Sequence, residues 1–154
     1  MIEGTVDHPR LLECGVIRPD SKGDLSGRLV DIHRGLLELI DRWAPDCVAI
    51  EGVFTGQNAR TAMVLGHARG VAVLAGALRG LDVLEYSPAE VKKAVVGTGA
   101  ATKKQVGFMI QQHFRLKEPP RPSDAADGCA VALCHLLAAM GAGGAAALSP
   151  ETLP

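Results

Sequence analysis

Aromatic residues are scarce: three Phe, one Tyr and one Trp make up 3% of 154 residues. Leu, Val, Ile and Ala must therefore fill the core. Net charge is almost absent, at -1. No global field marks a nucleic-acid binder, so any DNA contact has to come from a local basic patch. The four cysteines, Cys14, Cys47, Cys129 and Cys134, form no CxxC pair, and no histidine cluster lies near them. That argues against a zinc site and for reduced, mostly buried thiols of a cytosolic protein. The N-terminal stretch MIEGTVDHPR has no apolar h-region, so it does not read as a secretory signal. The apolar run VAVLAGAL is too short to span a bilayer, so no membrane role is expected. No internal repeat is visible.

What is present is a globular composition, 47% hydrophobic and 21% charged. The length suits one domain with a sizeable core. That domain is expected over 1–140, followed by a flexible tail, GAGGAAALSPETLP, over 141–154.

Strand and helix signals alternate. The first strand is expected at LLECGVIR, Leu11 to Arg18, ended by Pro19 and Asp20. Leu25, Leu29, Ile32, Leu36, Ile40 and Trp43 recur at steps of three and four, which predicts a helix over 25–43. CVAIEGVF is apolar on both faces and predicts a buried strand. A long helix is expected over 58–79, with Ala59, Met63, Gly66, Gly70, Val73 and Ala77 along one stripe. That stripe has two readings, tight packing on a sheet or a subunit interface. DVLEY predicts a third strand. Ser87-Pro88-Ala89-Glu90 and Thr102-Lys103-Lys104-Gln105 are capping-box starts for two further helices. Ser123 is expected to cap a last helix over 124–140, ended by Gly141. The order β, α, β, α, β, α, α, α implies an α/β layer fold.

Glu51 closes an apolar strand, where α/β folds place functional groups. A solvated strand end with no role is the plain alternative. Asp124 and Asp127 lie three apart at a helix start and share a face. Acids in a first turn also complement the helix dipole, which needs no site. Were the three carboxylates to converge, they would need cations, and hard oxygen ligands suit Mg²⁺ or Mn²⁺. Two such ions would activate water against a phosphodiester. Lys92, Lys93, Lys103 and Lys104 sit in early helical turns around Gly97 and Gly99, a pattern that suits a phosphate backbone or merely a solvated surface. Phe54, in VFTGQN, would stack on bases or fold into the core. His67, His113 and His135 sit singly and read as structural.

Together, AIEGVFTGQNARTAMVLGHARGVAVLAG, YSPAEVKKAVVGTGAATKKQV and SDAADGCAVALCH resemble the RuvC family of Holliday junction resolvases, from about Leu11 to Leu137. The resemblance implies an RNase H-like three-layer α/β fold with a mixed sheet. It implies a homodimer that cuts four-way DNA junctions symmetrically with two Mg²⁺ ions, in the cytoplasm, alongside the RuvA and RuvB branch-migration helicase. Glu51, Asp124 and Asp127 then match catalytic metal ligands. Phe54, Lys92 and Lys103 match junction-binding or catalytic residues, and the helix with Gly66 and Gly70 matches the dimer helix. Two N-terminal strands of the family, with a GIDPG-like motif that carries a fourth carboxylate, have no counterpart here, and Asp7 does not replace it. Met1 to Pro9 look like the hairpin into the third strand. The expectation is a sheet lacking its first two strands and impaired cleavage, with a start codon assigned too far downstream as the suggested cause. A junction-binding protein that does not cleave is the alternative, and an RNase H-like nuclease with another substrate is a third reading.

Overall fold

The protein is described from a computed structural model, covering residues 1–52 and 59–140. Strands β1 (Ile2–Gly4) and β2 (Pro9–Leu11) pair antiparallel. Strands β3 (Cys47–Glu51) and β4 (Asp82–Tyr86) pair parallel, with Glu51 opposite Tyr86 and Ile50 opposite Glu85. The helices are α1 (Leu25–Trp43), α2 (Ala59–Leu78), α3 (Pro88–Val96), α4 (Lys103–His113) and α5 (Ser123–Met140). Helix α2 covers one face of the β3–β4 ladder and carries α1 outside it; α5 covers the other face and carries α3 and α4. Helices thus flank the sheet on both sides, as the layer reading requires.

Local signals set most boundaries. Asp24 caps α1 by accepting from the Gly27 amide at 2.8 Å, and Ala44 ends it in the left-handed region at φ 41°. Both capping boxes form: Ser87 with Glu90 opens α3, and Thr102 with Gln105 opens α4. Gly97, at φ 90°, closes α3 and turns the chain directly towards α4. Ser123, expected as a cap, lies inside α5, where the Pro122 carbonyl accepts from the Ala125 amide at 2.9 Å. Gly141 and the tail lie outside the described residues.

Two expectations need correction. The strand expected over Leu11 to Arg18 ends at Leu11. Past it, the Met1 carbonyl takes the Leu12 and Glu13 amides at 3.0 and 3.3 Å, and no ladder partner follows among the described residues. Side chains hold the segment instead. The Glu13 carboxylate accepts from Trp43 Nε1 at 2.6 Å and from Arg42, while Ile17 fills the space above Gly35. Next, β3 is half-buried rather than buried. It pairs only with β4 among the described residues, and its other edge borders a cleft of about 540 Å³ lined by Met1, Leu39, Trp43, Ala49 and Leu136. The strands are few and of both senses, as expected of a mixed sheet without its first two strands: an antiparallel β1–β2 ladder and a parallel β3–β4 ladder among the described residues.

The core lies between β4 and helices α3, α4 and α5, around Leu84, Tyr86, Val91, Val106, Ile110 and Leu133. Across the sheet, His135 Nδ1 meets the Tyr86 hydroxyl at 2.8 Å and its Nε2 meets Cys47 Sγ at 3.1 Å, which ties α5 to both strands. All four cysteines are free; Cys14 is exposed, Cys47 half-buried, and Cys129 and Cys134 buried. Burial pushes the Cys129 thiol up to about 12 and the Cys134 thiol to about 11, so both stay protonated at neutral pH. Leu133 is fully enclosed. Leu133→Ala is therefore expected to cost about 2–5 kcal/mol in a denaturant melt.

Helix α2 resolves the small-residue stripe. Gly76 faces the sheet, where an added Cβ would come within 2.9 Å of Val83 and 3.2 Å of Val48. Gly66 and Gly70 have open space at the Cβ position, and Met63 and Leu74 are exposed. Met63, Gly66, Gly70 and Ala77 of the stripe named from the sequence thus point outward; close packing on the sheet belongs to the neighbouring Ala75 and Gly76.

Candidate active site

The site forms where the C-terminal end of β3 meets the first turns of α3, α4 and α5. Side chains alternate across a strand. Val48 packs towards α2, so Glu51, three positions on, points to the opposite face with Ala49. That face is covered by α5.

On α5, the buried Ala125 and Ala126 seat the helix start against the core and leave Asp124 and Asp127 facing out. Cys129, Leu133 and Cys134 anchor the rest of the helix. Across from them stands Lys103, the first residue of α4, placed by the Thr102 cap. Its ammonium donates to Asp127 Oδ2 at 2.8 Å and lies 3.9 Å from Asp124 Oδ1. A lysine at a helix start opposes the macrodipole; this pairing offsets that cost. The hydrogen bond to Asp127 raises the Lys103 proton affinity, aided by the charges of Asp127, Asp124 and Glu51.

Glu51 sits within the electrostatic reach of the same group. Solvent reaches the strand end, yet desolvation by its neighbours raises the Glu51 carboxyl pKa, and the charge of Asp127 raises it further. Lys103 and Lys92 act in the opposite direction. Of the residues named from the sequence, Lys103 contacts Asp127 and Asp124, and Glu51 feels the charges of Asp127, Lys103 and Lys92. Lys93 and Lys104 are exposed. Phe54 lies outside the described residues.

Carboxylate oxygens are the donors that a hard divalent cation takes. The arrangement is not a closed cage. Among the described residues, no three of His, Cys, Asp and Glu stand close enough to hold one ion. The two aspartates converge on the Lys103 ammonium instead.

A family model described as crossover junction endodeoxyribonuclease RuvC matches residues 1–135. This chain belongs to the RuvC family. Among curated relatives, the RuvC of Desulforamulus reducens is 47% identical over 127 residues, covering 82% of this chain and 77% of its own. The RuvC of Streptomyces avermitilis is 43% identical over 137 residues, covering 88% and 78%. Thermus thermophilus RuvC superposes with a TM-score of 0.81 at 35% identity, over 90% of this chain and 84% of the other. The same RuvC in complex with Holliday junction substrate gives 0.84 at 34% identity over the same shares. The fold is RNase H-like, and the family is one of structure-specific endodeoxyribonucleases.

Sequence reasoning passed over one polar pair beside the site. Glu85 on β4 is bonded to Arg69 on α2. The available signal was an acid, Glu85, in the interior of the short strand DVLEY.

Proposed function

We propose that this RuvC chain cuts four-way DNA junctions, with Glu51, Asp124 and Asp127 as its metal-binding carboxylates. The pairing of Lys103 with Asp127 and Asp124, next to the strand end where Glu51 feels the charges of Asp127, Lys103 and Lys92, supports the reading. The carboxylates would hold two Mg²⁺ ions, with Mn²⁺ as a substitute; bound there, the cations would supply an activated water and charge stabilisation for the leaving oxygen. Lys103 and Lys92 would hold scissile-strand phosphates by charge. Phe54 would contact bases at the junction.

The outward α2 surface, with Met63, Val64, Leu65 and Leu74 exposed and Gly66 and Gly70 open, supports a homodimer in which two copies meet along this helix. Two sites on one two-fold axis would cut a symmetric junction symmetrically. By length and apolar composition, Arg60–Leu78 would reach across a bilayer. Its packing along α1 and the sheet favours the dimer instead. RuvA and RuvB are the expected partners and the cytoplasm the expected compartment.

A synthetic four-way junction, a linear duplex and an RNA/DNA hybrid, each incubated with the protein and Mg²⁺, test the reading. Paired nicks in the junction alone are expected. Equal cutting of the hybrid would replace it with a different RNase H-like nuclease. Binding without nicks would favour a junction-binding protein, a second reading supported by the Lys103 bridge standing between the aspartates.

A further inference from the structure

We infer that Arg69 and Glu85 form a positioning pair that sets where the end of β3, and with it Glu51, stands. The inference rests on Glu51 being a site residue. Glu85 lies opposite Ile50, one step before the Glu51–Tyr86 pair. Because faces alternate, it occupies the α2 side of the ladder, away from Asp124, Asp127 and Lys103. It therefore acts through the backbone and touches no reacting group.

The two oxygens of Glu85 have different tasks. Oε2 accepts from Arg69 Nη2, which fixes the carboxylate to α2. Oε1 lies against the chain at Gly52, where an added Cβ would come within 2.7 Å of it. The Gly52 amide in turn donates to the Tyr86 carbonyl at 2.9 Å, the last bond of the ladder. Glu85 is thus wedged between α2 and the residue that follows Glu51. Any side chain at Gly52 would displace it.

Two further features mark the pair as more than a surface contact. Both partners are largely covered, with side-chain exposures of 31% and 28%. Arg69 Nε is buried with no hydrogen-bond partner among the described residues. Helix α2 is also the proposed dimer helix. The pair therefore links the subunit contact to the strand end that carries Glu51.

The test uses the full chain and a synthetic four-way junction. Single-turnover cleavage is measured at saturating protein with Mg²⁺, and junction affinity separately by anisotropy without divalent metal. Glu85→Gln keeps the shape and removes the charge. It is expected to lower the saturated rate on the order of tenfold or more, since small misplacements of a reacting group are costly, with junction affinity unchanged. Arg69→Met should lose as much, and the double variant no more than either single, because both break one linkage. Parent rates in both singles, losses that multiply in the double, or an affinity loss that accounts for the rate would each overturn the proposal. If Glu85→Gln does not fold, Arg69→Lys decides, because it keeps the charge without the planar fork. An intermediate rate at an unchanged melting temperature supports the proposal, and the parent rate overturns it. Glu51→Gln is run alongside. If Glu51→Gln cleaves like the parent, the site reading has failed. If Glu51→Gln is inactive while Glu85→Gln runs at the parent rate, only the positioning role has failed.

Discussion

Glu51→Gln is expected to lower junction cleavage on the order of 10³-fold or more, because it removes a charge aimed at the reacting centre. The same change should make the protein more stable at neutral pH. Folding raises the proton affinity of this carboxyl above its ordinary value of 4.5, through desolvation and the charge of Asp127. A group with a raised acid pKa destabilises the fold wherever it is ionised. The penalty is absent below about pH 4.5, where the carboxyl is protonated in both states, and complete above the raised folded value. Thermal melts of parent and variant should therefore coincide in acid and separate above it, with the variant melting higher. A variant that melts lower at neutral pH would sink this account of the strand end. A divalent cation should raise the parent's melting temperature more than the variant's.

Lys103→Ala is expected to give the second large loss, about 10²-fold in cleavage. Its structural effect has the opposite sign. Removing the ammonium 2.8 Å from Asp127 leaves Glu51, Asp124 and Asp127 without their nearest cation. The metal-free variant should melt below the parent at neutral pH. Lys103 carries a raised pKa, so its contribution is complete at neutral pH and fades as pH rises through that alkaline value. It also fades in acid, as the carboxylates it faces become neutral. Melts at neutral and acid pH, with and without Mg²⁺, check this. Millimolar Mg²⁺ should recover much of the neutral-pH loss, since it supplies the missing positive charge. A melting temperature indifferent to both the substitution and Mg²⁺ would mean that the acids do not form one electrostatic unit.

The parts of the fold that were legible in the sequence are those with local causes. The six apolar positions from Leu25 to Trp43 set α1, and the Ser87 and Thr102 boxes open α3 and α4 where they were expected. Asp82 to Tyr86 forms a strand with the expected bounds. What was not legible depends on distant partners. A strand lasts only as long as its neighbour, and after Leu11 no strand pairs with this segment among the described residues. Periodicity cannot report that. The half-burial of β3 likewise depends on what lies along its open edge. The outward direction of the Gly66–Gly70 stripe became clear only once Gly76 was found against Val48 and Val83.

The candidate site divides in the same way. Glu51 stood out because an acid ends an apolar strand, and Asp124 and Asp127 because they share a helix face. That Lys103 stands against Asp124 and Asp127, within the electrostatic reach of Glu51, required either the family resemblance or the folded chain. No short-range signal connects position 51 with 103 and 127. Arg69 and Glu85 were missed because each has an ordinary setting alone, one on a long helix and one in a short strand.

The parity of the β3–β4 ladder has a consequence for how this protein can fail. Shifting β3 by a single residue would carry Glu51 to the α2 face, beside Arg69 and Glu85, and turn an aliphatic side chain towards Lys103 and Asp127. Because β3 reads as apolar on both faces, such a slipped chain would bury a similar amount of hydrocarbon. Hydrophobic burial alone cannot proofread the register. The discrimination must come from charge: Glu85 already satisfies Arg69, and a second carboxylate there would be repelled. Error correction in this sheet therefore rests on its few polar side chains.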